Sequence, residues 1–387
     1  MQLRSDSGLP LAAFDWQPRT RLVFGPGTLA HVGSLALELG GRRALLVTDQ
    51  GIVAAGHADH ARTALEKAGI AVVVYDAVRE NPGTSDVDRC VEAARDGKVD
   101  FIVGLGGGSS MDTAKGCNFL LTNGGAMKDY WGVGKATKPM LPLIAIPTTA
   151  GTGSECQCAA LIKDEVTHQK MACLDSKAAA RIAILDPELT LSQPASVTAC
   201  TGVDALAHAV ETAVAKKRTA LSAVFSREAF RLCIKAFPRI LAEPGDLDAR
   251  GRMQLGAAYS GMAIENSMLG GAHSAANPLT AHHGVVHGQA VGIVLPSIIR
   301  FNASDPVAGL RYHDLCDVVG LADPEALARA LEEMLALTGL AAPLASFGVT
   351  AEKIPALAEE AARQWTATFN PRPIAAADFA RIYESLL

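Results

Sequence analysis

The chain lacks a basic field. Its 35 Lys and Arg are outnumbered by 40 Asp and Glu, the formal net charge is −5, and the cations are scattered without runs. Such a surface does not offer a polyanion the clustered cations that nucleic acid binding needs. A long hydrophobic run is also missing, since no apolar stretch approaches the ~20 residues of a membrane span. The opening "MQLRSDSGLPLAAFDW" has no apolar core of signal-peptide length. Nucleic acid and membrane are therefore not expected partners, and the cytoplasm is the expected location. Eight cysteines in 387 residues are too sparse for a disulfide scaffold. Most sit in apolar patterns, as Cys117 does in "AKGCNFLL" and Cys233 in "RLCIKAF", so they are expected to be reduced and buried. "ECQC" (Cys156, Cys158) is a lone C-x-C without a second pair, which argues against a zinc ribbon. No internal repeat or low-complexity tract is found.

What is present is a globular composition, 49% hydrophobic and 19% charged, in a chain long enough for two domains. The first half alternates β-rich runs with helical patterns: "RALLVTD" (43–49), "AVVVYDA" (71–77), "FIVGLGG" (101–107), "LPLIAIPTT" (141–149) and "ARIAILDP" (180–187). Alternation of this kind predicts a parallel sheet covered by helices. Before it, "RTRLVFGPGT" reads as a strand closed by a Gly-Pro-Gly turn. After Pro194 Ala-rich helical stretches take over, at 194–216, 219–242, 247–266, 323–338 and 351–367. The change of texture predicts a boundary near 187–193. We therefore expect an α/β domain over 1–190 and an all-helical domain over 191–387, with the active site in the cleft between them.

In "GLGGGSSMDTAKG" (104–116) a strand enters glycine-rich backbone and then a helix, which gathers free amides and the positive end of a helix dipole. It is not the G-x-G-x-x-G fingerprint, because Ser109 holds the last position. Alone, it fits either a phosphate ligand or a structural tight turn. Asp49 ends another strand, where a carboxylate can accept both hydroxyls of an adenosine ribose, or form an ordinary turn before Gly51. "IPTTAGTGSE" (146–155) leaves a third strand with Thr148, Thr149, Thr152 and Ser154, hydroxyls suited to ribose and carboxamide groups or to capping the next helix. Three such strand ends in one sheet favour a dinucleotide.

In "TGVDALAHAVE" Asp204 and His208 stand at i, i+4, on one face of a helix. The surrounding residues are small and apolar, and a buried carboxylate and imidazole need a strong partner. Downstream "GGAHSAANPLTAHHGVVHG" brings His273, His282, His283 and His287, so five of the ten histidines lie between 208 and 287. One carboxylate with two or three imidazoles suits Fe(II) or Zn(II). Helix-capping and surface histidines are the alternative. The set favours a metal, with Asp204 and His208 from one helix and His273 and His287 from others.

In order and spacing, "FGPGT", "VTD", "ENPGTSDV", "GGGSSMDTAK", "PTTAGTGSE", "TGVDALAHAVE", the His273–His287 segment and "FNPRP" (369–373) resemble the iron-dependent, group III alcohol dehydrogenases. The resemblance spans nearly the whole chain. It implies a dehydroquinate synthase-like architecture, with a Rossmann-like NAD-binding domain before a helical metal-binding one. It also implies that Gly106, Gly107, Gly108, Ser109 and Ser110 cradle the NAD pyrophosphate and that Asp49 takes the adenosine ribose, selecting NAD over its phosphorylated form. Asn81, Thr148, Thr149, Thr152 and Lys170 match further cofactor contacts. Asp204, His208, His273 and His287 match the four ligands of iron or, in some members, zinc. The expected assembly is a homodimer or larger.

One position departs from the family. Four residues after the third ligand many members carry a histidine near the substrate, whereas this chain has Asn277. An amide can hydrogen-bond but cannot titrate near neutral pH, so His283 is either the substitute for proton transfer or, equally, a solvent-facing neighbour of His287. By position Ala159, Ile264 and the segment before Asn370 line a small, partly apolar pocket, and Gln157 or Asn277 supplies an amide for a second polar group. The expected reaction is reversible hydride transfer between a small primary or secondary alcohol and NAD. A lyase of the dehydroquinate synthase type would need several cations for a phosphorylated substrate, and the metal segments are poor in Lys and Arg. A non-catalytic relative would have lost metal ligands, and all four are present.

Overall fold

The computed structural model describes residues 11–167 and 169–387. Part of the N-terminal stretch read for a leader, residues 1–10, lies outside them. Among the described residues no helix is long and apolar enough to cross a membrane. The chain divides into two compact units, one made of Trp16–Thr149 with Gly153–Gln193 and the other of Pro194–Leu387 joined by Ala150–Thr152 and by residues 11–15, which the sequence reading put in the first domain.

Among the described residues the first unit is built on nine strands: β1 Arg21–Phe24, β2 Arg43–Val47, β3 Ala71–Tyr75, β4 Phe101–Gly106, β5 Gly132–Val133, β6 Leu143–Pro147, β7 Ala159–Lys163, β8 Lys170–Leu174 and β9 Ile182–Leu185. Six form a sheet in the order β1-β9-β6-β4-β2-β3, with every pairing parallel. This is the sheet that the alternation predicts. β4 and β6 are buried along their whole length, as parallel strands covered on both faces must be. The register sets Val47 of β2 beside Gly104, and Gly106 of β4 beside Pro147. The carboxyl ends of β2, β4 and β6 therefore lie side by side, and the strand order reverses between β2 and β4, where ligands of open α/β sheets bind. A second sheet, β5-β8-β7, was not expected; β5 has two residues, and β7 and β8 pair antiparallel outside the strand-helix alternation that marks the first. It abuts the loop after β3, where Lys163 N donates to the Pro82 carbonyl at 2.9 Å.

The second unit is helical. The stretches read at 194–216, 219–242, 247–266 and 323–338 are the helices Ala195–Val214, Ala220–Ala242, Leu247–Ser267 and Pro324–Leu337. Three start on side-chain caps: Thr219 accepts from Ser222 N, Asp246 from Ala249 N and Asp323 from Ala326 N. The stretch read as 351–367 ends early. Its helix is Ile354–Arg363, because Gln364 turns to extended backbone, and a 3-10 turn follows over Trp365–Phe369. The helices Gly271–His283 and His287–Ala303 arise from Gly-, His- and Pro-rich sequence of low helix propensity, and burial holds them.

The helix Ala195–Val214 is the centre of this unit, buried from Gly202 onward. Such a helix has no polar face to give to water, and its apolar side chains pack with Phe230, Phe237, Met253 and Ile298. The helix His287–Ala303 lies close against it because Gly288 has no side chain: a Cβ there would stand 2.1 Å from the Cys200 carbonyl oxygen. This close approach places His287 beside the residues of the central helix.

Candidate metal centre and cofactor loop

Asp204 and His208 project from one face of the central helix, as their spacing requires, and the helices Gly271–His283 and His287–Ala303 bring in His273 and His287. The Oδ1 atom of Asp204 is the hub. His208 Nε2 and His273 Nε2 each lie 3.4 Å from it and His287 Nε2 lies at 4.0 Å. Asp204, His208 and His273 offer ligand atoms all within 4.8 Å of one another. The three are 4–5% exposed, whereas the His287 side chain is 37% exposed and forms the open side of the cluster.

The outer ring nitrogens are already committed. His208 Nδ1 donates to the Gly151 carbonyl at 3.2 Å, and His273 Nδ1 meets Glu211 Oε2 at 2.5 Å. Both contacts leave Nε2 as the nitrogen that faces Asp204. Asp204 Oδ1 and His273 Nε2 are nevertheless buried without a hydrogen-bond partner. Two unsatisfied buried atoms at this separation are costly, and a cation among them removes the cost. The donor set fits a divalent transition metal.

The electrostatics agree. Burial pushes Asp204 upward, but the imidazoles of His208, His273 and His287 outweigh it and hold the carboxyl well below the usual carboxylate range. Burial lowers His208 despite Asp204. Burial would also lower His273, yet the Glu211 and Asp204 carboxylates carry it up to about 9. The ordinary imidazole value is about 6.5, so the folded metal-free protein holds a proton that the unfolded chain releases. That stabilisation is complete below about pH 6.5 and is lost as the pH rises through about 9. A metal needs the neutral ring, so uptake displaces the proton.

The glycine loop follows β4. Gly106 has φ +145°, a conformation that L side chains rarely adopt, and a Cβ there would stand 2.4 Å from Ser110 Oγ. The helix Gly108–Asn123 begins with no side-chain cap, so its first turn offers amides to an anion. Ser110 Oγ is buried with no hydrogen-bond partner. The backbone is thus bare where a phosphate would approach, which fits a pyrophosphate.

Several other cofactor candidates gather around this loop. Asn81, at φ +52°, donates its backbone N–H to Ser109 Oγ at 3.3 Å and accepts from Lys170 Nζ at 3.4 Å. Thr148 N donates to the Gly106 carbonyl at 3.0 Å, and the Thr149 side chain lies 3.4 Å from the Cβ position of Gly107. Asp49 follows β2 as a helix cap whose second oxygen is turned to the glycine loop. Its Oδ1 caps Ile52 N at 3.0 Å, while Oδ2 lies 3.4 Å from the Cβ position of Gly106. Thr152 belongs to the helical unit instead.

Sequence reading missed the fixing of the loop after β6. Lys115, fully buried, donates to Ser154 O at 2.6 Å, Ser154 Oγ at 2.9 Å and Ala159 O at 3.0 Å, and Ser154 Oγ also meets Asp112. Burial raises Asp112 to about 6 and Glu155 to about 7. The "MDTAK" that follows the glycines thereby ties one strand-end loop to the next.

Asn277 stands one turn after His273, half-buried, and donates from Nδ2 to Gln364 Oε1 at 3.1 Å. His283 Nδ1 donates to the Phe347 carbonyl at 2.9 Å, which leaves Nε2 as its basic nitrogen. Ile264 is buried, and Asn370 turns into the core.

Comparison with known proteins agrees with this geometry. The family model described as iron-containing alcohol dehydrogenase matches residues 18–187, and that for the C-terminal part of the same family matches 198–387. Alcohol dehydrogenase 4 of Schizosaccharomyces pombe is 35% identical, over 96% of this chain and 88% of that protein. The NAD-dependent methanol dehydrogenase of Bacillus methanolicus is 32% identical, over 94% and 97%. A crystal structure of 1,3-propanediol oxidoreductase superposes with a TM-score of 0.92 at 31% identity, covering 97% of this chain and all of that one. With the glycine cradle and the buried Asp-His cluster both in place, the chain belongs to the iron-containing alcohol dehydrogenase family and is an NAD-dependent oxidoreductase.

Proposed function

We propose that this chain interconverts small primary or secondary alcohols and their carbonyl compounds with NAD, using one divalent metal, Fe(II) in preference to Zn(II), held by Asp204, His208, His273 and His287. The observation that carries the reading is the convergence of three Nε2 atoms on the unsatisfied Oδ1 of Asp204. When bound, such a metal supplies Lewis acidity towards an alcohol or carbonyl oxygen, and NAD supplies the hydride acceptor.

The chain's own contributions follow from its residues. Gly106, Gly107, Gly108, Ser109 and Ser110 receive the pyrophosphate, Asp49 Oδ2 the adenosine ribose, and Asn81, Thr148, Thr149, Thr152 and Lys170 the remaining polar groups of the cofactor. Asn277, paired with Gln364, holds a polar group of the substrate without exchanging a proton. His283 Nε2 takes the proton released on oxidation. The buried free cysteines fit a reducing cytoplasm. The exposed Phe24 on edge strand β1 fits a homodimer or larger assembly.

The test is NADH formation across short alcohols, diols and hydroxy acids before and after chelation. The expected result is turnover with at least one class, lost on chelation and restored better by Fe(II) than by Zn(II). Undiminished turnover after complete metal removal would refute the assignment.

A further inference from the structure

The first amides of a helix have no partner within it, and Gly270, at the N-cap of the helix Gly271–His283, brings no side-chain acceptor. Two side chains from elsewhere in the helical unit fill the gap. Asn370 Oδ1 accepts from Gly271 N at 3.1 Å, and Glu211 Oε1 accepts from Ala272 N at 2.7 Å. The second oxygen of Glu211 takes His273 Nδ1 at 2.5 Å. Three successive residues, ending on a metal ligand, are thus held by two side chains.

Both holders are themselves locked. Asn370 Nδ2 donates to Asn302 Oδ1 and to the Arg372 carbonyl, each at 2.7 Å, and Asn302 Nδ2 returns a bond to Asn370 Oδ1 at 3.0 Å. Asn302 Nδ2 also reaches Tyr312 OH at 3.3 Å. Glu211, Asn302, Tyr312 and Asn370 are all 1–3% exposed. The chemistry explains each residue type. Glu211 faces two donors, so only a carboxylate satisfies both, and a glutamine would turn an NH2 towards one of them. Asn370 faces two N–H donors on one side and two acceptors on the other, so an amide fits and a carboxylate would repel the acceptors.

We propose that Glu211 and Asn370 are positioning residues for the metal ligand His273, fixing where its helix begins and which ring nitrogen faces Asp204. The inference rests on the metal assignment above. It also gives "FNPRP" a task, since Asn370 reaches from near the C-terminus to the start of the ligand-bearing helix.

The experiment titrates Co(II) into metal-free wild type, Glu211→Gln, Asn370→Asp and Tyr312→Phe against a chelating indicator, with the visible Co(II) spectrum, NAD affinity and thermal unfolding recorded on each. We expect Glu211→Gln to bind Co(II) about 10- to 100-fold more weakly, with an altered spectrum, and Asn370→Asp about 10-fold more weakly. Tyr312→Phe removes a hydroxyl from the same buried network without touching the helix. It lowers the unfolding temperature but leaves Co(II) affinity within about twofold of wild type, because Asn370 keeps both its bonds to Asn302 and its bond to Gly271 N. NAD affinity is unchanged in all three. Wild-type affinity in Glu211→Gln, or an equal loss in Tyr312→Phe, overturns the proposal. Asn370→Asp tests it without altering any group in contact with a ligand, should Glu211→Gln fail to fold. A wild type that binds no Co(II) overturns the metal assignment itself, which is a different failure.

Discussion

Asp204→Asn is expected to abolish alcohol-dependent NADH formation. The substitution keeps the shape of the side chain and removes the charge at the point where three imidazoles converge. It also presents an NH2 group that competes with a cation for the same Nε2 atoms. Metal catalysis of this type contributes several kcal/mol, and each 1.4 kcal/mol is tenfold in rate, so the loss should reach at least about a thousandfold. Metal content falls in parallel. Affinity for NAD, which we assign mainly to residues of the α/β unit, stays within about twofold of wild type, and fluorescence titration with NADH measures it. Full activity with normal metal content would show that the carboxylate is not a ligand.

Gly106→Ala should give the reciprocal pattern. The new Cβ would lie 2.4 Å from Ser110 Oγ and 2.9 Å from Ser110 Cβ, at φ +145°, where a side chain is strained whatever the space. Strain of this kind costs about 1–3 kcal/mol. The backbone can relieve it only by moving the loop that we assign to the pyrophosphate. NAD affinity should fall at least about tenfold, consistent with a distortion of some 1.4 kcal/mol, while bound metal remains stoichiometric. A variant that keeps wild-type NAD affinity would separate the glycine loop from the cofactor. The two substitutions thus divide the protein by function: one silences the metal centre and spares the cofactor, the other does the reverse.

The features legible in the sequence are those whose signal is local. Periodicity marks the parallel sheet, and cap residues such as Thr219, Asp246 and Asp323 stand where helices begin. The i, i+4 spacing of Asp204 and His208 is enough by itself to put two ligand candidates on one helix face. The same helix carries a further signal. Asp204, His208 and Glu211 follow at intervals of four and three residues, one polar stripe in an otherwise apolar and buried helix. That stripe would have flagged Glu211 as part of the cluster.

The rest is carried by contacts that no window of sequence can register. Glu211 meets Ala272 and His273 across 61 and 62 residues, and Asn370 meets Gly271 across 99. Ala150–Thr152 belong with the helical unit although Thr149 and Gly153 on either side do not, and the Gly151 carbonyl orients His208. The second sheet has a different cause: β5 is two residues long, and β7 and β8 pair antiparallel with no helix among the described residues between them, outside the strand-helix alternation of the parallel sheet. At Asp49 the turn reading is seen directly, and the ribose reading stays a proposal. One carboxylate oxygen caps a helix, and the other stands at the glycine loop.

The central claim is that one metal ion sits among Asp204, His208, His273 and His287 and is required for alcohol oxidation. Anomalous X-ray diffraction from crystals of active protein, recorded on both sides of the iron and zinc absorption edges, tests it most directly. The account predicts a single strong anomalous peak within bonding distance of Asp204 Oδ1 and the three Nε2 atoms, in protein that forms NADH with an alcohol. Active crystals with no peak there, or with a peak held by other residues, would contradict it.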